Sequence, residues 1–304
     1  MTSVSIEQQV AWARSSALVV VASERCVLEV TGSERLSWLN GLLTCDLTAS
    51  RPGDAIHGLA VAQKGKIVTD VVVVVDETRA LLVVQRSTVD ALVASFEHHL
   101  MMEDAELTRS TREVAFVHGP RAGEVLEAVR RAGEVGGLFD ATGLGGAVVI
   151  TGDASGGGAG DAAGPAALAV GGGVGDPSGW DVVRVITGVP RFGVDFDDAT
   201  YPQEAALETK AVSFQKGCYL GQEVVCMLEM RGHVKRKLVS LVVEGDEVPA
   251  AHAPVGDGKG SSIGEITTAA RAPEGELRAL AMVKYAFIAS GTELVVGNQV
   301  ARVV

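Results

Sequence analysis

At 304 residues with a formal charge of −12, the chain is too long for one ordinary hydrophobic core and suits two or three domains. An isoelectric point near 5.0 argues against direct binding of nucleic acid or of anionic membranes. Hydrophobic residues make up 47% of the chain but aromatic ones only 4%, so the interior must be built from Val, Ala and Leu. The four cysteines, Cys26, Cys45, Cys218 and Cys226, form no CxxC pair and no Cys/His cluster of metal-site spacing. No metal site is expected, and reduced thiols of a cytoplasmic protein are the simplest assignment. Residues 1–14 lack the basic-then-apolar order of a secretory signal. The longest apolar runs, such as Val71 to Val75 between Asp70 and Asp76, have strand length, far short of a membrane span.

In chain order, residues 17–31 form a β-rich run ending at Thr31-Gly32. Ser33 is the expected N-cap of a short helix with Leu36, Leu39 and Leu43 on one face. Strands are predicted over 55–62, 67–76 and 80–85, with Gln63-Lys64-Gly65-Lys66 turning between the first two. Ser87 with Asp90 opens a helix carrying Leu92, Val93, Phe96 and Leu100 at helical spacing. This β-α-β-β-β-α order predicts an α+β architecture with an antiparallel or mixed sheet. A second unit begins near residue 112, with a strand over Val114 to Val117 and a helix over 121–131 that turns Val125, Leu126 and Val129 inward. Residues 143–179 then hold 14 of the 37 glycines, three carboxylates and no Lys or Arg. A phosphate loop would need GxxxxGK and a basic residue nearby. An irregular Gly-rich loop is therefore the expectation. The last seventy residues carry strand-like runs at 238–244, 262–269, 277–287 and 292–303, the pattern of a small antiparallel sheet or barrel.

The densest chemistry lies between these regions. Gly188-Val189-Pro190-Arg191-Phe192-Gly193 leads to Tyr201-Pro202-Gln203-Glu204-Ala205-Ala206-Leu207, and then to the octapeptide Lys216-Gly217-Cys218-Tyr219-Leu220-Gly221-Gln222-Glu223. Glycines on either side let the backbone turn tightly. Lys216 stands two residues from Cys218 as an electrostatic partner for a thiolate. From Lys210 to Lys237 six Lys/Arg and two Glu give a local charge of +4. The basic group Arg231-Gly232-His233-Val234-Lys235-Arg236-Lys237 suits either a solvated strand edge or a docking surface for an anion.

The octapeptide resembles the K-G-C-Y-x-G-Q-E signature of the folate-binding YgfZ family, relatives of the T-protein (aminomethyltransferase) of the glycine cleavage system, and matches all seven fixed positions. Arg231-Gly232 with Lys235-Arg236 also fits. Leu39 to Asp46 is similar to that family's N-terminal helix and turn, and Lys64-Gly65-Lys66-Ile67 with Asp70 to its K-G-R/K-I-x-x-D segment. The 188–207 region resembles the G-I-P-x-x-G…P-x-E-A-x-L stretch shared with the T-protein.

The resemblance implies an α+β cloverleaf of three domains around a central opening that binds tetrahydrofolate or a one-carbon derivative. The first domain would cover 1–111, completed by about 190–230. The second would cover 112–189, with a Gly-rich loop at 143–179, and a C-terminal antiparallel β-barrel 235–304. Glu204 takes the position of a carboxylate that meets the pterin ring in the T-protein, and its alternative role is a favourable charge at a helix start after Pro202. Lys216, Tyr219, Gln222 and Arg231 are the other implied folate contacts. Asp70 is the one carboxylate left where T-proteins have two adjacent acids, so it is either a catalytic group or the end of a turn. Cys218 belongs to the YgfZ pattern and is absent from that of the T-protein. It is a nucleophile, a transient iron–sulfur ligand or a small buried hydrophobe. The implied function is assistance to iron–sulfur enzymes as clients, with an indirect influence on tRNA modification. The alternatives are a folate-dependent aminomethyl or methyl transferase and a non-catalytic scaffold.

Overall fold

The structure, a computed structural model, describes residues 4–152 and 158–304. Helix α1 (Ile6–Ser15) leads into β1 (Leu18–Val21) and β2 (Arg25–Thr31), followed by α2 (Arg35–Leu42), β3 (Ala55–Val61), β4 (Ile67–Val75), β5 (Ala80–Gln85), α3 (Val89–His98) and β6 (Glu106–Ser110). Next come β7 (Val114–His118), α4 (Ala122–Arg131), β8 (Val135–Leu138), β9 (Gly146–Ile150), α5 (Ala159–Ala169), β10 (Gly173–Val174) and α6 (Pro177–Ile186). After the short α7 (Glu208–Ala211) and α8 (Gln222–Arg231), strands β11 (Arg236–Val243), β12 (Pro254–Gly256), β13 (Ser262–Arg271), β14 (Leu277–Lys284), β15 (Glu293–Val296) and β16 (Gln299–Val303) complete the chain. Among the described residues no helix is long and apolar enough to cross a membrane.

The strands form two five-stranded sheets, in orders β3-β4-β5-β2-β6 and β10-β1-β7-β9-β8, and a closed barrel of β11-β14-β13-β12-β15-β16. The α+β architecture and the C-terminal barrel expected from the sequence are both present. Alternation along the strands explains how the sheets stack. In β4, Val71, Val73 and Val75 face α2 and α3 with Trp38, Leu39, Leu92 and Phe96. Val72 and Val74 face the other way, against Val114, Val148 and Ile150 of the second sheet. Both faces of β4 are therefore covered, which is why its sequence is an unbroken apolar run rather than an alternation. The second sheet turns Ala115, Val117, Ala147 and Val149 to α4 and α5. The result is four layers, helix–sheet–sheet–helix.

Three local expectations are corrected. The run 17–31 splits at Ala22 to Glu24: β1 pairs with β7 and β10, whereas β2 pairs with β5 and β6. Ser33 does not cap α2. Its amide and hydroxyl both donate to Asp104, and Glu34 precedes the helix. The stretch 143–179 is not an irregular loop, because β9, α5, β10 and the start of α6 lie within it. Ala159, Ala163 and Ala167 recur every fourth residue and are fully buried against the second sheet. The glycines there serve close packing, since a Cβ at Gly164 would crowd Val174 and one at Gly173 would enter the Trp12 ring.

Candidate functional site: a cavity between the two sheets

Where the two sheets diverge they leave a cavity of about 530 Å³. Cross-strand register builds its first wall: Ala55 stands opposite Val74, His57 opposite Val72, and Leu59 opposite Asp70, so His57, Val72 and Asp70 share one face of β3 and β4. Phe116 and His118 from the end of β7, with Leu138 to Gly143 after β8, make the facing wall. Trp180 and Arg184 of α6, then Pro190, Arg191, Phe196, Leu207 and Lys210 of the returning segment, close it. Size and lining are those of a small-molecule site, largely apolar with a few convergent polar groups.

Aromatic rings run along this cavity in an unbroken series. His57 meets Phe139 edge-on at 5.6 Å, Phe139 meets Phe116 at 5.8 Å, and Phe116 lies over His118 at 6.2 Å. His118 then stacks on Trp180 at 4.0 Å with planes 7° apart. The chain has only seven Phe and three Trp, yet three Phe and one Trp line this one cavity.

Asp70 sits at the floor as half of an ion pair. Arg25 Nη2 donates to its Oδ2 at 2.7 Å, and Gln85 Nε2 donates to Oδ1 at 3.2 Å. Burial pushes the Asp70 carboxyl up, but the Arg25 charge and hydrogen bond, helped by His57 and Gln85, outweigh it and hold it below the usual carboxylate range. Arg25 Nε is buried without a partner among the described residues. Burial lowers His57 to about 4 against the opposing pull of Asp70, and lowers His118 to about 3 against that of Asp140. His57 is partly accessible only because it faces the cavity. Both imidazoles are therefore neutral at pH 7. Arg184 and Arg191 are paired with Asp181 and Asp195. Lys210 has no ion-pair partner among the described residues and is the spare cation of the lining.

The structure does not gather the residues singled out from the sequence at one opening; of them, Asp70 alone lines this cavity. Lys216 is a buried clamp: its ammonium donates to the carbonyls of Asn40 at 2.5 Å, Leu43 at 2.8 Å and Cys45 at 2.7 Å. The Asn40 and Leu43 carbonyls lie in the last turn and cap of α2 and that of Cys45 in the turn beyond it, so this lysine is not the counter-ion expected for a Cys218 thiolate. Tyr219 packs among Leu59, Val61 and Ile67, its ring 5.3 Å below the Lys216 ammonium. Its hydroxyl is buried beside the Cys226 thiol without a hydrogen bond of ordinary geometry. Cys218 is exposed at the turn before α8, which rules out the buried-hydrophobe assignment. Gln222 opens α8 and reaches back to the Gly217 carbonyl at 3.4 Å.

Glu204 accepts from the Tyr201 amide at 3.0 Å and from Arg236 at 3.4 Å, while its own carbonyl receives the Leu238 amide at 2.7 Å. It joins the returning segment to the first barrel strand. The segment after Pro202 is a turn, so the helix-start role is absent. Arg231 ends α8, and its side chain lies outside the described residues. Among the described residues no group of three or more His, Cys, Asp or Glu could hold a metal ion. The residues missed from the sequence are Arg25, His57, Phe116, His118, Phe139, Trp180 and Lys210. Their available signal was scarcity: a histidine inside or ending an otherwise apolar strand, in a chain with only six.

Comparison with known proteins places this cavity in context. The GCVT N-terminal domain matches residues 2–135. An aminomethyltransferase of Streptomyces coelicolor is 28% identical over 301 residues, covering 88% of this chain and 78% of its own length. The tRNA-modifying protein YgfZ of Vibrio vulnificus is 23% identical over 231 residues, covering 74% of this chain and 69% of its own. The solved glycine cleavage system aminomethyltransferase T of Bartonella henselae superposes with a TM-score of 0.83 at 20% identity, over 98% of this chain and 88% of that one, so the two share a fold. The resemblance carried by the octapeptide is borne out.

Proposed function

We propose that this relative of the aminomethyltransferases and of YgfZ binds tetrahydrofolate in the inter-sheet cavity and assists the assembly or repair of iron–sulfur enzymes in the cytoplasm, influencing tRNA modification only indirectly. The carrying observation is the aromatic series His57–Phe139–Phe116–His118–Trp180 along one cavity, with both imidazoles free of hydrogen-bond partners among the described residues. A pterin and its aminobenzoyl group are flat, largely apolar on their faces and polar on their edges, which is what such a lining accepts. Asp70, kept ionised by Arg25, suits the donor edge of the pterin, and Lys210 suits the carboxylate tail. Glu204, engaged by Tyr201 and Arg236 away from the lining, gives that edge up to Asp70. Bound tetrahydrofolate supplies a carrier for a one-carbon unit. Lys216, Tyr219 and Gln222 act indirectly, by fixing α2 and the turn that bears Cys218.

Binding without transfer is the better reading of Asp70. A general base needs a free lone pair and a pKa near the working pH. Each Asp70 oxygen accepts one hydrogen bond and keeps a lone pair for a pterin donor, but its carboxyl titrates below the ordinary range, away from the working pH. The −12 charge also argues against tRNA gripping the protein directly. Cys218 lies outside the cavity and open to solvent, which supports a role toward a client rather than the folate. The test has two arms. Calorimetry at about 100 μM protein should register tetrahydrofolate binding equally for the wild type and for Cys218→Ala. The variant should then fail to complement a strain lacking the protein. No heat with the wild type sinks the folate reading; full complementation by Cys218→Ala removes the thiol from the function.

A further inference from the structure

We propose that His118 selects the ligand of the inter-sheet cavity by donating one hydrogen bond, from Nε2–H, to an acceptor on the edge of the ring bound there. The proposal rests on the reading that a folate occupies this cavity. His118 closes the last rung of β7, opposite Leu18 on one side and Gly146 on the other. Its ring lies over Phe116 at 6.2 Å and against Trp180 at 4.0 Å, so both faces are covered and only its edge is available. The ring is 98% buried yet lines the cavity. Nδ1 is sealed in the protein with no partner among the described residues, which leaves Nε2 as the nitrogen a ligand can meet.

The proton's location follows from the cost of orphaned groups. A buried N–H without an acceptor is rarer in proteins than a buried lone pair without a donor. With Nδ1 sealed and the imidazole neutral, the favoured tautomer carries its hydrogen on Nε2. The cavity therefore presents a fixed N–H donor, held by stacking on two rings rather than by hydrogen bonds that a ligand would have to break. A ring edge offering a carbonyl oxygen or a bare ring nitrogen satisfies it, whereas an edge offering N–H leaves two donors facing each other. Discrimination of this kind is strong because the unmatched group stays buried and unpaired. Asp70, across the cavity, is an acceptor whose oxygens each hold one protein hydrogen bond and keep a further lone pair for a ligand. The two walls thus ask for opposite edges of one flat molecule, donors toward Asp70 and an acceptor toward His118.

The experiment uses the full chain with 5,6,7,8-tetrahydrofolate as the probe. His118→Phe keeps a ring between Phe116 and Trp180 but removes the donor, and should weaken binding about tenfold. His118→Gln restores an N–H and should recover most of the affinity. In wild-type protein carrying ¹⁵N-labelled histidine, the Nε2 resonance of His118 should move on saturation while its protonation state stays neutral. If the wild type binds and His118→Phe binds as well, the donor role is overturned and the folate reading stands. If the wild type does not bind tetrahydrofolate at all, both are overturned. Should His118→Phe fail to fold, the ¹⁵N signal decides: an unmoved Nε2 resonance in saturated wild-type protein overturns the proposal.

Discussion

His57 and His118 are the cavity-lining residues whose chemistry departs furthest from their free behaviour. Each is neutral because burial penalises the imidazolium, lowering them to about 4 and about 3 from 6.5. A histidine with a depressed folded pKa contributes stability that is fully present above pH 6.5 and is lost as pH falls toward the folded value. Asp70 acts in its own window: its carboxyl is depressed from 3.8, so its contribution is present above that pH and lost only below it. The denaturant midpoint should therefore fall between pH 6.5 and about 4, by up to about 1.4 kcal/mol per pH unit for each imidazole. The slope will be smaller for His57, which faces the cavity. Replacing His118 with Phe should remove more than half of that slope, as measured by urea titrations across the range. An unchanged slope would mean that His118 is solvated. Neither histidine was legible as functional in the sequence. Each sits at an ordinary strand position, and what isolates it from water is contributed by another sheet.

Among the elements, the octapeptide turn shows how a motif can be recognised correctly while its parts are assigned differently. Its sequence marked a special backbone, and the backbone is special. Gly221 has φ of +79° and begins α8, and a Cβ there would overlap the Ala62 carbonyl oxygen. Lys216 and Tyr219 lock the other side of the turn, leaving Cys218 exposed between two fixed points. Gly221→Ala should cost about 2–4 kcal/mol, combining left-handed strain with a backbone clash, and chemical denaturation measures it. A loss below about 0.5 kcal/mol would show that the turn relaxes freely. Helix α5 is the opposite case. It was invisible in the sequence because Ala and Gly on every side erase the polar–apolar contrast that reveals a helix. Pro165 within it is a residue that disfavours a helix interior. Helix α4, with charged residues opposite Val125, Leu126 and Val129, was legible because that contrast is present.

At the scale of the molecule, one buried network ties the barrel to the cavity. Arg184 of α6 donates to Asp195 at 2.6 Å with their side chains 1% and 0% exposed, and also reaches Thr268 of β13 at 3.0 Å. Asp195 accepts in addition from Thr267 at 2.5 Å, from Thr268 at 2.7 Å and from the Arg191 amide at 2.9 Å. Every lone pair of that carboxylate is spoken for, which is the condition under which a buried ion pair persists. Asp195→Ala strands the Arg184 charge and should destabilise the protein by about 3–5 kcal/mol. Because Arg184 also lines the cavity, the variant should bind tetrahydrofolate more weakly than its stability loss alone explains. Calorimetric unfolding and ligand titration of the same sample check both. Unaltered unfolding would show that the barrel does not depend on this joint.

Local pattern determined much of the protein: the strands β3, β4 and β5, the helices α3 and α4, the barrel runs and the octapeptide with the relationship it carries. These were readable because periodicity, turn residues and glycine positions act within a few residues of one another. The tertiary structure alone decided where the cavity lies and what lines it. Its walls come from β2, β3, β4, β7, α6 and the returning segment as far as α7, parts of the chain as distant as Glu24 and Lys210. It also decided that Lys216 and Glu204 serve as internal fasteners while Asp70, His57 and His118 face the opening. A side chain's chemistry is written in the sequence, but the burial, neighbours and free edge that set its role exist only once distant strands have met.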